Sequence, residues 1–330
     1  MNNAFPFAAI VGQEDMKLAM IMTAIDPKIG GVLVFGDRGT GKSTAVRGLA
    51  NLLPPIKSVE GCPVNSRSSD EVPSWSENTS KKIVEIPMPV VDLPLGIGSD
   101  RVTGALDIEK ALVDGVKSFQ PGLLAKANRG YLYIEEVNLL EDHIVDLLLD
   151  VSQSGENVIE REGLSIRHAS DFILIGSGNP EEGELRPQLL DRFGLSVEVI
   201  TPQTIQERIE VIKRRDLFDQ GPENFQKNWE KEGKKIIAAR KSINKIQTSE
   251  SILELCAEIC IELGSDGLRG ELTLLRAARA LAAYRNSKQV SKTHVKSVAS
   301  MCLSHRLRRD PLDETGSAAR VERALHAVCG

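Results

Sequence analysis

The chain has 330 residues, enough for two domains or one large one. A hydrophobic share of 41% and a charged share of 26% are those of a water-soluble globular protein, and no apolar run approaches the length of a membrane span. A net charge of −5 argues against a dedicated nucleic-acid binder, which carries a basic excess.

The opening MNNAFPFAAIVGQ has neither a basic n-region nor a long apolar h-region, so no secretory signal is expected. From Ile10 to about Val199, short apolar runs alternate with helical stretches. GGVLVFG (30–36), GYLYIEE (130–136) and DFILIGSGNP (171–180) each predict a buried strand bounded by glycine or acid. Strands covered on both faces predict an α/β core with a mostly parallel sheet. Residues 56–100 lack periodicity and are rich in Pro, Ser and Gly, and they are expected to form a long surface excursion. LLEDHIVDLLLDVSQSG predicts a helix ending at Gly155. NVIEREGLSIRH (157–168) has two alternating runs around Glu162-Gly163, a hairpin pattern.

Near Asp216 the composition turns polar, and beyond it the pattern is helical. The expected organisation is a nucleotide-binding α/β core over 1–215, a linker with a connecting helix over 216–248, and a helical domain over 249–330. Cysteines occur at 62, 256, 260, 302 and 329, with no C-x-x-C pair. Cys256 and Cys260 share one helical face and are expected to be reduced core residues. The histidines lack zinc-site spacing.

The chemistry lies at strand ends. GDRGTGKST, starting at Gly36, matches the phosphate-loop pattern G-x-x-x-x-G-K-[ST] between a strand and a helix. Gly36, Asp37, Arg38, Gly39, Thr40, Gly41, Lys42, Ser43 and Thr44 are therefore the candidate nucleotide-binding residues. Their backbone N–H groups curl around phosphate oxygens, Lys42 reaches the β- and γ-phosphates, and the Ser43 hydroxyl ligates Mg²⁺. The strand-end acids Glu135 and Glu136 then have a counter-charge to face. Glu135 is expected beside the metal, and Glu136 beside the attacking water. Asn179, at another strand end, can orient that water or cap a turn. Arg192 ends the run LRPQLLDR, where it can project into a neighbouring molecule's site. Arg269 opens a C-terminal helix, a place a cation occupies against the helix dipole unless an anion is near. For either arginine a surface ion pair is the other reading. The basic run His305–Arg309 reads as a solvated helix end or as a patch for a neighbouring subunit.

Together these residues resemble the AAA+ ATPases and, more closely, the ATPase (I) subunits of magnesium chelatase. Long segments carry the resemblance: AIVGQEDMKLA, GDRGTGKSTAVR, VVDLPLG, GLLAKANRGYLYI, EVNLLEDHIVDLLLD, GSGNPEEGELRPQLLDRFGLSVEV, GSDGLRGELTLLRAARALAA and SHRLRRDPLDE. The resemblance implies ATP and Mg²⁺ as cofactors, a ring that is typically hexameric, and partnership with the chelatase D and H subunits in inserting Mg²⁺ into protoporphyrin IX. It implies that Glu136 is the catalytic acid, Asn179 sensor one, Arg192 the arginine finger and Arg269 sensor two. It also implies an adenine-pocket role for Ile10–Gln13 and family insertions at VVDLPLG and at the 157–168 hairpin. The reduced thiols imply a cytoplasmic setting, or the plastid stroma in a plastid-bearing organism. One position departs from the family, which has Asp where this chain has Glu135. Cobaltochelatase motors and MoxR-type chaperones share the architecture, but VVDLPLG and HRLRRDPLDE favour magnesium chelatase. A hairpin-bearing nucleic-acid motor needs basic hairpins, and NVIEREGLSIRH balances its acids against its cations.

Overall fold

The computed structural model describes residues 4–37, 39–76, 80–113, 115, 117–161, 163–179, 183, 185–265, 267–307 and 316–329. Arg38 of the phosphate loop, Glu162 of the hairpin turn, and Arg308 and Arg309 of the basic run lie outside them. The main sheet consists of β1 (Gly31–Gly36), β2 (Val90–Leu93), β3 (Tyr131–Ile134), β4 (Ile173–Gly178) and β5 (Phe193–Val199), in the order β5-β1-β4-β3-β2. The pairs β1–β5, β3–β4 and β2–β3 are all parallel. The principal helices are α1 (Glu14–Ile25), α2 (Lys42–Leu52), α3 (Asp142–Ser154), α4 (Ile205–Gln220), α5 (Gln226–Ser242), α6 (Glu250–Glu262), α7 (Arg269–Tyr284), α8 (Lys292–Leu303) and α9 (Ser317–Cys329). This is the α/β class with a helical C-terminal region that the sequence predicts. The chain divides into two compact units, Met1–Leu53 with Leu185–Gly330, and Pro54–Glu184.

In the first unit β1 is buried because Val32, Leu33 and Val34 are fully covered. β5 lies beside it with Phe193, Leu195, Val197 and Val199 buried and Glu198 exposed. Their register slips once. Gly31 faces Phe193 and Val32 faces Leu195, so Gly194 is the extra residue of a bulge. A Cβ on Gly194 would stand 2.0 Å from the Ile29 carbonyl oxygen, so only glycine fits. The polar stretch after Asp216 proves to be helix. α4 continues to Gln220 and α5 follows, anchored by Phe218 and Phe225, which pack with Ala9 and Phe5. In α6, Ile252, Leu255, Cys256, Ile259 and Cys260 recur at helical spacing and are buried together. Burial pushes the Cys256 and Cys260 thiols up to about 11 and about 12, the state of inert core thiols. α8 starts with a reciprocal cap between Ser291 and His294.

In the second unit β3 is buried along its whole length and pairs with β2 on one side and β4 on the other, with Leu132 opposite both Val91 and Leu174. The expected 56–100 excursion is largely built. Ile56–Val59 pairs antiparallel with Ile83–Ile86, and Val59, Cys62 and Val64 form a small core with Ala125. Val90–Leu93, inside the same stretch, belongs to the main sheet. Val90 and Val91 are half-buried, Asp92 is exposed and Leu93 is buried, too short a pattern for periodicity to register. Arg129, in left-handed conformation at φ 66°, donates from Nη1 to the Lys57 and Asn65 carbonyls at 2.7 Å each, tying the excursion to the turn before β3. α3 ends at Gly155 as predicted, with φ 71°. The hairpin is also as expected, with Glu156–Arg161 antiparallel to Leu164–Ala169 and Asn157 opposite His168.

Gly194→Ala tests how firmly the β1–β5 pair is set. Because the new methyl meets backbone rather than a movable side chain, the unfolding free energy should fall by about 1–3 kcal/mol in urea titrations. Gly98→Ala, at φ −68° and with nothing near its added Cβ, should stay within about 0.5 kcal/mol.

Candidate functional site

The phosphate loop leaves β1 at Gly36. This residue has φ 140°, and its Cβ would lie 1.9 Å from the Val199 carbonyl oxygen, so the loop begins where β1 and β5 touch. Gly39 and Gly41 take left-handed conformations at φ 78° and 85°, and among the described residues no atom beyond their chain neighbours lies within 4 Å of where their side chains would start. The loop is thus a turn with open space above it. α2 begins directly at Lys42 with Gly41 as its cap, no capping side chain and no acid in its first turn. Its first N–H groups are therefore available to an anion, and Ser43 and Thr44 stand half-buried beside them. Lys42 Nζ folds over the loop and donates to the Gly36 carbonyl and, at 3.2 Å, to that of Asp37. Neutral carbonyls hold an ammonium less strongly than phosphate oxygens do, so the lysine is placed to exchange one for the other. These residues fit a nucleotide's phosphates.

Two further contacts organise the loop. Asp37 accepts from Thr40 Oγ1 through its carbonyl at 2.9 Å and from Thr201 Oγ1 through its carboxylate at 3.3 Å. Gln13 Nε2 donates to the Ile200 carbonyl at 2.7 Å. The Ile10–Gln13 segment and the phosphate loop are therefore fastened to two adjacent residues after β5, Ile200 and Thr201 respectively.

In the second unit Glu135 and Glu136 follow β3 directly. Glu135 is exposed and Glu136 half-buried. Glu136 has φ 53°, a left-handed backbone unusual for glutamate, and it starts the short 3₁₀ turn Val137–Leu139. Tyr133 and Ser177 share a buried hydroxyl hydrogen bond of 2.9 Å, and Ser177 Oγ also donates to the Ile134 carbonyl at 3.4 Å. These bonds lock the end of β3 to the end of β4. Gly176 stands opposite Ile134, so Asn179 leaves β4 at the same C-terminal edge as the two acids. Within this unit the structure thus brings Glu135, Glu136 and Asn179 to one edge.

Arg192 and Arg269 are brought together in the first unit, at the other end of the β1–β5 pair. Arg192 immediately precedes β5, whose first residue faces the first of β1. At about 3.3 Å per residue, the length of β1 sets this end roughly 16 Å from the phosphate loop. Arg269 Nη1 donates to the Asp191 carbonyl at 2.9 Å and lies 3.7 Å from its carboxylate. His305 and Arg306 are not a solvated helix end. His305 Nε2 donates to the Phe193 carbonyl at 2.9 Å, and Arg306 binds both Asp191 and Phe193. Asp191, His305 and Arg306 carry no motif that marks them in the sequence; the basic run points to His305 and Arg306 alone, and passes over Asp191 beside Arg192.

The helical region 253–324 matches the AAA lid domain, and residues 104–188 match magnesium chelatase, subunit ChlI. The chain is 65% identical to the magnesium-chelatase 38 kDa subunit of Cereibacter sphaeroides, covering 99% of each. It is 64% identical to that of Rhodobacter capsulatus, covering 97% of this chain and 93% of that one. It is 49% identical to the magnesium-chelatase subunit ChlI of Euglena gracilis, over 98% and 96%. Among solved structures it is similar to a chain in a cryo-EM-based complex between subunits BchI and BchD of magnesium chelatase. That chain is 59% identical, with a TM-score of 0.59 and coverage of 98% of this chain and 100% of that one. A structure from Cytophaga hutchinsonii, 18% identical, shares the fold with a TM-score of 0.66 over 97% and 90%.

The His305 contact has a pH signature. Its Nδ1 is out of solvent, and burial, reinforced by the Arg306 cation and opposed by the bond to Phe193, pushes the imidazole down to about 3. An unfolded histidine titrates near 6.5. Below about pH 6.5 the unfolded chain therefore takes up a proton that the folded chain refuses, and stability falls as pH drops towards 3. His305→Gln keeps a donor for Phe193 but does not titrate. Between pH 6 and 4, wild type should lose up to about 1.4 kcal/mol per pH unit more than this variant, read from urea midpoints.

Proposed function

The chain belongs to the magnesium-chelatase I-subunit family of AAA+ proteins, and on that premise we propose that it is the ATP-hydrolysing motor that drives insertion of Mg²⁺ into protoporphyrin IX for (bacterio)chlorophyll synthesis. The observation that carries this reading is the open glycine-built loop at the end of β1, with the uncapped N-terminus of α2 behind it. The loop N–H groups and Lys42 bind the phosphates of ATP, and Ser43 with Glu135 holds the nucleotide's Mg²⁺. That ion, when bound, supplies positive charge to the phosphate oxygens as the γ-phosphoryl is transferred. Glu136 orients the attacking water and draws on its proton, with Asn179 fixing the water's position. Arg192 and Arg269 are displayed at the end of the β1–β5 pair remote from this chain's own loop. They therefore act on a neighbouring subunit's nucleotide, in a ring that the family's form makes hexameric. The nucleotide-binding core over 1–215, the connection over 216–248 and the lid over 249–330 are the parts of this motor. Its partners are the D and H subunits, and it works in the bacterial cytoplasm or plastid stroma; no described helix is long and apolar enough to cross a membrane.

The protein mixed with D and H subunits should insert Mg²⁺ into protoporphyrin IX, followed by porphyrin absorbance, only when ATP is present. Lys42→Ala should weaken nucleotide binding by about one to three orders of magnitude, on the scale of a lost charge-assisted contact, and abolish insertion. Insertion without ATP, or by this variant at the wild-type rate, would overturn the reading.

Glu135 is one methylene longer than the family's aspartate, and Mg²⁺ demands near-ideal octahedral geometry. Misplacement by about 1 Å costs on the order of 10²-fold in rate. Glu135→Asp should therefore raise steady-state ATP hydrolysis across a Mg²⁺ titration while nucleotide affinity stays within a few-fold. An aspartate variant no faster at any Mg²⁺ concentration would show that the longer acid reaches the metal equally well.

A further inference from the structure

We propose that Arg306 is a positioning residue for the arginine finger: from the C-terminal helical region it grips the residues on either side of Arg192 and fixes the backbone from which that side chain projects. The inference rests on the assignment of Arg192 as the finger and adds a residue to which neither motif nor family resemblance gave a role.

The geometry is specific. Arg306 Nη1 donates to Asp191 Oδ1 at 2.9 Å, and Nη2 donates to the Phe193 carbonyl at 2.9 Å. The two arms of one planar guanidinium thus hold positions 191 and 193 and leave 192 between them. The third donor, Nε, is spent on the Cys302 carbonyl at 3.2 Å, which orients the fork from the end of α8. The Arg306 side chain is only 6% exposed, so its charge is not there for solubility. Burial lowers its pKa from the usual arginine value, with Asp191 acting against that shift and Arg269 adding to it. A lysine has one point donor and cannot span both positions. His305 adds a second donor to the Phe193 carbonyl, and Arg269 holds the Asp191 carbonyl.

The opposite side of the same segment is equally constrained. A Cβ on Gly30 would lie 3.2 Å from the Arg192 carbonyl oxygen, and Gly194 is packed on the Ile29 carbonyl. The backbone of 191–194 is therefore clamped between the start of β1 and the end of α8. A finger acts on a transition state and loses rate steeply with small displacement, so such a clamp has a catalytic use. The same contacts explain why removing Arg306 need not unfold the chain. The Asp191 side chain is 61% exposed and can be hydrated, and the Phe193 carbonyl keeps His305.

The test uses full-length rings of Arg306→Gln and Arg306→Lys, with Arg192→Ala as the reference. Both Arg306 variants should bind a fluorescent ATP analogue within about three-fold of wild type. Their kcat should fall at least ten-fold with little change in KM, because the lost contact serves the transition state. Each should regain hydrolysis when mixed with Glu136→Gln subunits, since the variant's own intact site then meets an intact finger, a rescue that a generally damaged subunit could not give. Wild-type kcat in Arg306→Gln overturns the proposal. So does loss of nucleotide binding in both Arg306 variants, or rescue of Arg192→Ala but not of either Arg306 variant. If Arg192→Ala itself is not rescued in verified mixed rings, the finger assignment fails and the proposal falls with it.

Discussion

The close approach of two backbones, β1 against β5, is the constraint on which the first unit depends. At one end Gly36 leaves no room for a side chain beneath Val199, and at the other Gly194 leaves none beneath Ile29. Each contact starts a segment that the proposed function uses: the phosphate loop at the first, the Asp191–Phe193 segment at the second. Both segments inherit their placement from a parallel pair whose buried Val, Leu and Phe side chains make it rigid. Catalytic groups carried on short loops need such a base, because the loops themselves have little core.

Charge is arranged around this base with economy. The loop presents N–H groups and Lys42 without a nearby acid in the helix that follows. The far end presents two arginines gathered on a single carboxylate, Asp191, with Arg306 buried and Arg269 half-exposed. The burial cost of Arg306 is met by three hydrogen bonds rather than by the ion pair alone. The histidine beside it is kept neutral, so it adds a hydrogen bond without adding repulsion.

Much of this was legible in the sequence, and the exceptions have physical causes. The phosphate loop could be read because its chemistry demands glycines at fixed offsets, and the same loop emerges after the strand it required. The α6 cysteines could be read because a helical stripe has one period. Val90–Leu93 could not, since a four-residue edge strand with a charged, exposed member carries too few alternations. His305 and Arg306 could not, because a basic run at a helix end looks the same whether it faces water or a carbonyl. What distinguishes the two is tertiary: the arrival of Phe193, more than a hundred residues earlier in the chain. The bulge at Gly194 was likewise hidden, as nothing in GLSVEV announces that one residue is spare.

The left-handed backbone at Glu136 has an evolutionary consequence. A non-glycine residue held there costs the backbone on the order of 1 kcal/mol. Glycine would relax the chain and forfeit the carboxylate. With the role proposed for Glu136, the position is one where selection for a stable protein and selection for a working one pull in opposite directions.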